Sequence, residues 1–146
     1  MFRQRHDIKR FLADNATVAA ITIEAAKGST PRDDGAWMLV SPQSAFRTIG
    51  GGNLEFIAID KARSLLADGR EQETIPIALG PEIGQCCGGH VTLKLQRLSQ
   101  DGQAHYIERI GRELSELPNV LIFGAGHVGH CLAQALALLP VHPVLI

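Results

Sequence analysis

The sequence predicts an α/β protein in two parts: a compact mixed α/β domain with a linker helix over residues 1–118, then the start of an incomplete βαβ unit over 119–146. Three observations carry this. Short β-branched apolar runs alternate with stretches whose apolar residues recur at helical spacing. The character changes at Pro118-Asn119, because Leu117 to Ile146 contains no Asp, Glu, Lys or Arg. Glycine reaches 15 residues while aromatics make up only 5%, so the core is aliphatic and several turns are built on glycine.

The elements follow in order. Asp7 to Leu12, with Ile8, Phe11 and Leu12 on one side, predicts a first helix ending near Asp14-Asn15. Thr17 to Ile23 is β-branched and nearly continuously apolar, which suits a central strand buried on both faces. Gly28 to Gly35 is rich in breakers and predicts a loop. Trp37 to Val40 reads as the second strand and Phe46 to Ile49 as a short third. After Gly50-Gly51-Gly52 the spacing turns helical, with Leu54, Ile57, Ala58, Ala62, Leu65 and Leu66 in one stripe and Gly69 as the stop. Ile75 to Leu79 predicts a strand. Val91, Leu93 and Leu95 alternate with Thr92, Lys94 and Gln96, the pattern of a strand with one wet face. Ile107, Ile110, Leu114 and Leu117 form a second helical stripe closed by Pro118. The last segment reads as strand Val120–Phe123, a glycine turn, helix His127–Leu139 and strand Val141–Ile146.

Composition excludes several function classes. At 45% hydrophobic, 20% charged and a net charge of -1, the chain is an ordinary globular protein, neither a disordered tail nor a polycation, and no nucleic-acid partner is expected. The N-terminus is charged and no apolar signal segment follows, so a cytoplasmic protein is expected. No membrane partner is expected either, since glycines, histidines and Gln134 interrupt Val120–Leu139 and no basic flank orients it. Three cysteines, two of them adjacent, do not make a disulfide framework.

Four strings can carry chemistry. Gly124-Ala125-Gly126-His127-Val128-Gly129 fits G-x-G-x-x-G directly after an apolar strand and at the opening of a helix. There the first glycine permits a tight turn, the second admits a pyrophosphate and the third lets helix and strand pack closely, which suggests a Rossmann-like origin and either an NAD(P) site or a packed βαβ element with no ligand. The acidic residue expected about 20 positions on, which would grip a ribose, is absent. His127 and His130 read as polar residues at a helix start, and mid-helix Cys131 as a core residue. Gln85-Cys86-Cys87-Gly88-Gly89-His90 offers a thiolate for sulfur transfer, a soft-metal site at Cys86 and Cys87, a vicinal disulfide, or simply small residues in a crowded turn. Gly50-Gly51-Gly52-Asn53-Leu54-Glu55 sets three glycines and an Asn cap at a helix start, a nest of N–H groups suited to an anion. Glu55 there is either a partner of the helix dipole or a side chain directed at a ligand. Gly28-Ser29-Thr30-Pro31-Arg32 brings the Ser29 hydroxyl and the Arg32 guanidinium, suited to phosphate or a pterin if it is more than a solvated turn.

These four strings, in this order, resemble the XdhC/CoxI family over nearly the whole chain. The resemblance implies an accessory factor rather than an enzyme. Such a protein binds molybdenum cofactor (molybdopterin), protects it while its terminal sulfur is installed, and assists its insertion into a xanthine dehydrogenase-type molybdenum hydroxylase. A hydroxylase client and a cysteine desulfurase are the implied partners. The implied cofactor-binding residues are the glycine loop with Glu55, the Cys86-Cys87-Gly88-Gly89 turn, and Gly124, Gly126 and Gly129. The family joins such a domain to a Rossmann domain, most of which this sequence lacks. The alternative is an NAD(P)-binding oxidoreductase fragment, which the same truncation weakens. The apolar segment after Pro118 is expected to associate with a second copy or to stay mobile.

Overall fold

The computed structural model describes residues 2–84 and 88–146, with side chains from His6 onward. The chain forms two units. One holds residues 11–102, and the other holds residues 1–10 and 103–146.

The unit of residues 11–102 is built on a five-stranded antiparallel sheet. Its strands are β1 (Ala19–Lys27), β2 (Trp37–Val40), β3 (Ala45–Arg47), β4 (Gln72–Ala78) and β5 (His90–Arg97), in the order β3-β2-β1-β5-β4. β1 is central, as its continuous apolar run predicts. It runs on to Lys27 because β5 pairs with it as far as Lys27–His90, across an irregularity between Ile23 and Ala25. Helix α2 (Gly52–Ala67) lies on one face, and its Leu54, Ala58, Ala62 and Leu65 meet Ile21, Ile23, Met38, Val40, Leu93 and Leu95. The alternation in β5 holds, with Val91, Leu93 and Leu95 buried. On the opposite face Trp37 and Leu39 are also buried, and Phe46 stacks between Phe11 and Trp37 with ring centroids 5.7 and 6.5 Å away. Gly69 stops α2 as predicted: with φ 70° it lets Arg70 N donate to Leu65 O at 3.0 Å.

Helices α1 (Phe2–Asp14) and α3 (Gln100–Ser115) each run across a boundary between the units. Within the second unit β6 (Asn119–Ile122), α4 (His127–Leu136) and β7 (His142–Leu145) form a βαβ element, with β6 and β7 parallel from Asn119–His142 to Ile122–Leu145. α4 ends three residues before the sequence pattern suggested, because Leu138 and Leu139 turn back through 3-10-type bonds to Ala135 and Leu136. No helix among the described residues is long and apolar enough to cross a membrane.

Candidate functional site

Three of the four motif strings meet at one end of the five-stranded sheet. The loop after β1, residues 28–36, packs against the β4–β5 connection through glycine: a Cβ on Gly28 would lie 3.3 Å from Gly89 Cα, and one on Gly89 would lie 2.2 Å from the Ser29 carbonyl oxygen. The same loop presses Pro31 on Gly50, where a Cβ would come within 2.7 Å of the proline ring. The Asn53 amide donates to Ile83 O at 2.7 Å, tying the start of α2 to the short 3-10 turn Pro81–Ile83. The β4–β5 connection closes on itself through Leu79 N to Gly89 O at 2.7 Å and Gly88 N to Leu79 O at 2.8 Å. Glycine is therefore required at 89 because backbones touch there, and at 28 and 50 because φ of 76° and 128° adds to the close approach of Gly89 Cα and of the Pro31 ring. Cys86 and Cys87, with Gln85, lie outside the described residues.

The glycine nest at the start of α2 already holds an anion of the chain's own. The Glu55 carboxylate turns back on the loop, and its Oε2 accepts from Ile49 N at 3.0 Å, from Gly51 N at 3.1 Å and from the Thr48 hydroxyl. Gly50 N donates instead to Thr48 Oγ1 at 3.0 Å. Of the two readings of Glu55, the structure has the helix-terminus partner: a carboxylate from the first turn holds the preceding amides, as the return arm of a capping box does. Asn53 is not the cap. That position falls to Gly51, whose φ 74° and ψ -167° belong to a region open almost solely to glycine, and the Asn53 side chain is spent on Ile83. Just upstream, Arg47 is the one non-glycine residue with positive φ among the described residues, at 69°, and its guanidinium lies 4.4 Å from the Trp37 ring centre. The composition of the loop gave no sign of that strained residue.

Ser29 and Arg32 are exposed on the loop after β1, and Arg32 has no ion-pair partner among the described residues. A Cβ on Gly88 would meet nothing within 4 Å, so open space borders this loop. A hydroxyl and a guanidinium thus remain available to a polar, anionic ligand once the nest is filled.

Gly124, Gly126 and Gly129 belong to the other unit, the first two in the turn between β6 and α4 and the third in the first turn of α4. Gly124 has φ 111°, and a Cβ on Gly129 would lie 1.9 Å from Gly124 O, so the first and third glycines serve the tight turn and the close helix–strand approach. Gly126 caps α4 with no side-chain bond. Beside it lies a cavity of about 400 Å³ lined by Phe123, Gly124, Gly126, His127, Val128 and Leu132. Cys131 is a correction: it is exposed, not core, because α4 buries only the face that carries Gly129. Its thiol lies 3.7 Å from His127 Nε2. No group of three or more His, Cys, Asp or Glu side chains that could hold a metal occurs among the described residues.

Residues 11–76 match the model of the XdhC and CoxI family. Among solved structures, a chain described as a xanthine dehydrogenase from Bacillus halodurans is similar, with a TM-score of 0.62, 21% identity, and coverage of 77% of this chain and 35% of that one. That likeness is one of fold, and the present chain spans about a third of the length of that protein. Comparison with curated proteins gives no match. The matched segment contains β1, the loop with Ser29 and Arg32, the Glu55-filled glycine turn and most of β4, and over it the chain is similar to the XdhC and CoxI family.

Proposed function

We propose that this chain is a cytoplasmic accessory factor that binds molybdenum cofactor and assists its sulfuration and insertion into a xanthine dehydrogenase-type hydroxylase. The observation that carries the reading is the convergence of the three motif loops in the family-matching unit: Pro31 against Gly50, Gly28 against Gly89, and Asn53 bonded to Ile83. The family match over residues 11–76 supports the accessory role, and the chemistry of the exposed groups supports the ligand. Arg32 and Ser29 suit the phosphate of the pterin. Cys86 and Cys87 suit a soft metal or its sulfur. Glu55 serves by fixing the loop beneath. The cofactor, when bound, supplies the molybdenum centre destined for the client, and a cysteine desulfurase is the corresponding sulfur source. The test is purification of the full chain from a cell that makes the cofactor, followed by oxidation to the fluorescent pterin. Pterin above the level of an unrelated control is expected, and none above it refutes the reading.

A second reading, an NAD(P)-binding fragment, is favoured by one observation: the α4 N-terminus, capped by Gly126 without a side-chain bond, opens beside the cavity at Gly124, Gly126 and Gly129. Under the accessory-factor reading, the purified chain does not turn over NADH with purines or aldehydes. Turnover that survives purification to homogeneity would favour the second.

A further inference from the structure

Arg47, the last residue of β3, holds a left-handed backbone at φ 69° that glycine would adopt without cost. Its guanidinium lies 4.4 Å from the centre of the Trp37 ring, and at an exposed residue such a contact returns less than the backbone costs. Stability alone therefore favours glycine at 47, and backbone strain kept against stability points to a role in function. The place agrees with this. Arg47 opens the turn Thr48–Gly51, whose hydroxyl and amides hold the Glu55 carboxylate. The loop after β1 packs on the same turn: Pro31 presses on Gly50, and Arg32 Cγ lies 3.6 Å from the point where a Gly50 Cβ would stand. Arg32 and Arg47, both exposed, thus border one turn. With Glu55 in the amide nest, a further anion has to be met by cationic side chains rather than by those amides. Stacking on Trp37 engages the flat face of the Arg47 guanidinium and fixes its plane. The N–H donors lie in that plane, in the fork that matches a phosphate.

We propose that Arg47 is a second phosphate-recognising residue of the loop site, acting with Arg32, and that the two select a ligand carrying a phosphate monoester over the same ligand without it. A phosphate monoester brings about two negative charges and three acceptor oxygens, enough for two guanidinium forks at once. The inference rests on the cofactor reading above, in which the phosphate is that of the pterin.

The experiment measures, by fluorescence anisotropy, binding of the oxidised, fluorescent pterin to the full-length chain, with the pterin phosphate intact and after its removal by phosphatase. The wild-type chain is expected to bind the phosphorylated form about tenfold more tightly. Arg47→Gly, whose backbone suits the left-handed turn, should lose most of that preference while binding the phosphate-free form as before, and Arg47→Lys should fall between the two. Emission from Trp37, the chain's one tryptophan, should shift when the phosphorylated form binds and not when the other does. The proposal is overturned if Arg47→Gly keeps the wild-type preference or weakens both forms alike. Wild-type binding of both forms with equal strength refutes the phosphate role and leaves the cofactor reading standing, whereas binding of neither refutes both.

Discussion

At Glu55 one carboxylate oxygen accepts from the Thr48 hydroxyl and from the amides of Ile49 and Gly51, which makes this side chain a structural anion where the sequence offered a place for a ligand's. Glu55→Ala leaves those partly buried donors without a partner, at a cost of about 1–3 kcal/mol in urea unfolding. A change smaller than the error of the measurement would show that water replaces the carboxylate. Gly89→Ala is expected to cost a similar amount, about 1–3 kcal/mol, since the added methyl meets the Ser29 and Lys27 carbonyls and backbone must move. Arg47 separates two opposing effects. Arg47→Gly relieves the positive φ but loses the contact with Trp37, whereas Arg47→Ala loses the contact and keeps the strain, so the alanine variant should be the less stable by roughly 1 kcal/mol. Equal stabilities would show that the backbone there is not strained. Residue types marked the glycine loops as special, but sequence alone could not settle whether Glu55 faces inward or outward. The answer depends on where Thr48 and Ile49 arrive from β3, which a one-dimensional pattern does not contain.

The elements were the most legible part. The run Trp37–Val40 is β2 to the residue, the stripe from Leu54 to Leu65 is the buried face of α2, and the alternation at Val91, Leu93 and Leu95 is the buried face of β5. Those signals come from burial against a single layer, which leaves a clean period in the sequence. Cys131 misled for the same reason in reverse. Apolar neighbours Leu132 and Ala133 imply burial, yet Gly129 is the buried residue of α4, and Leu132 stays 46% exposed. The third glycine of the β6–α4 turn was legible because its physical role is local. Gly129→Ala would set a methyl 1.9 Å from Gly124 O, and α4 should lose its seat on the turn. Hydrogen exchange is expected to show the amides of His130 to Leu136 losing protection in that variant while those of β1 and β5 keep it. Unchanged protection along α4 would mean that the turn accommodates the extra carbon.

Over the whole molecule, the proposed cofactor site lies in the unit of residues 11–102 and not at the β6–α4 turn, although the turn carries the more familiar glycine motif. The family match over residues 11–76 and the packing of the loops around Gly28, Gly50 and Gly89 support that assignment. The pterin content of the full chain, purified from a cofactor-making cell, tests it when measured beside two variants. One is Ser29→Ala with Arg32→Ala, which removes the exposed polar groups of the first loop. The other is Val128→Glu, which sets a charge in the cavity beside Gly126 at a position already 78% exposed. The account predicts pterin in the wild-type chain, a fall to the control level in the Ser29 and Arg32 variant, and full retention in Val128→Glu. Pterin lost in Val128→Glu but retained without Ser29 and Arg32 would contradict it.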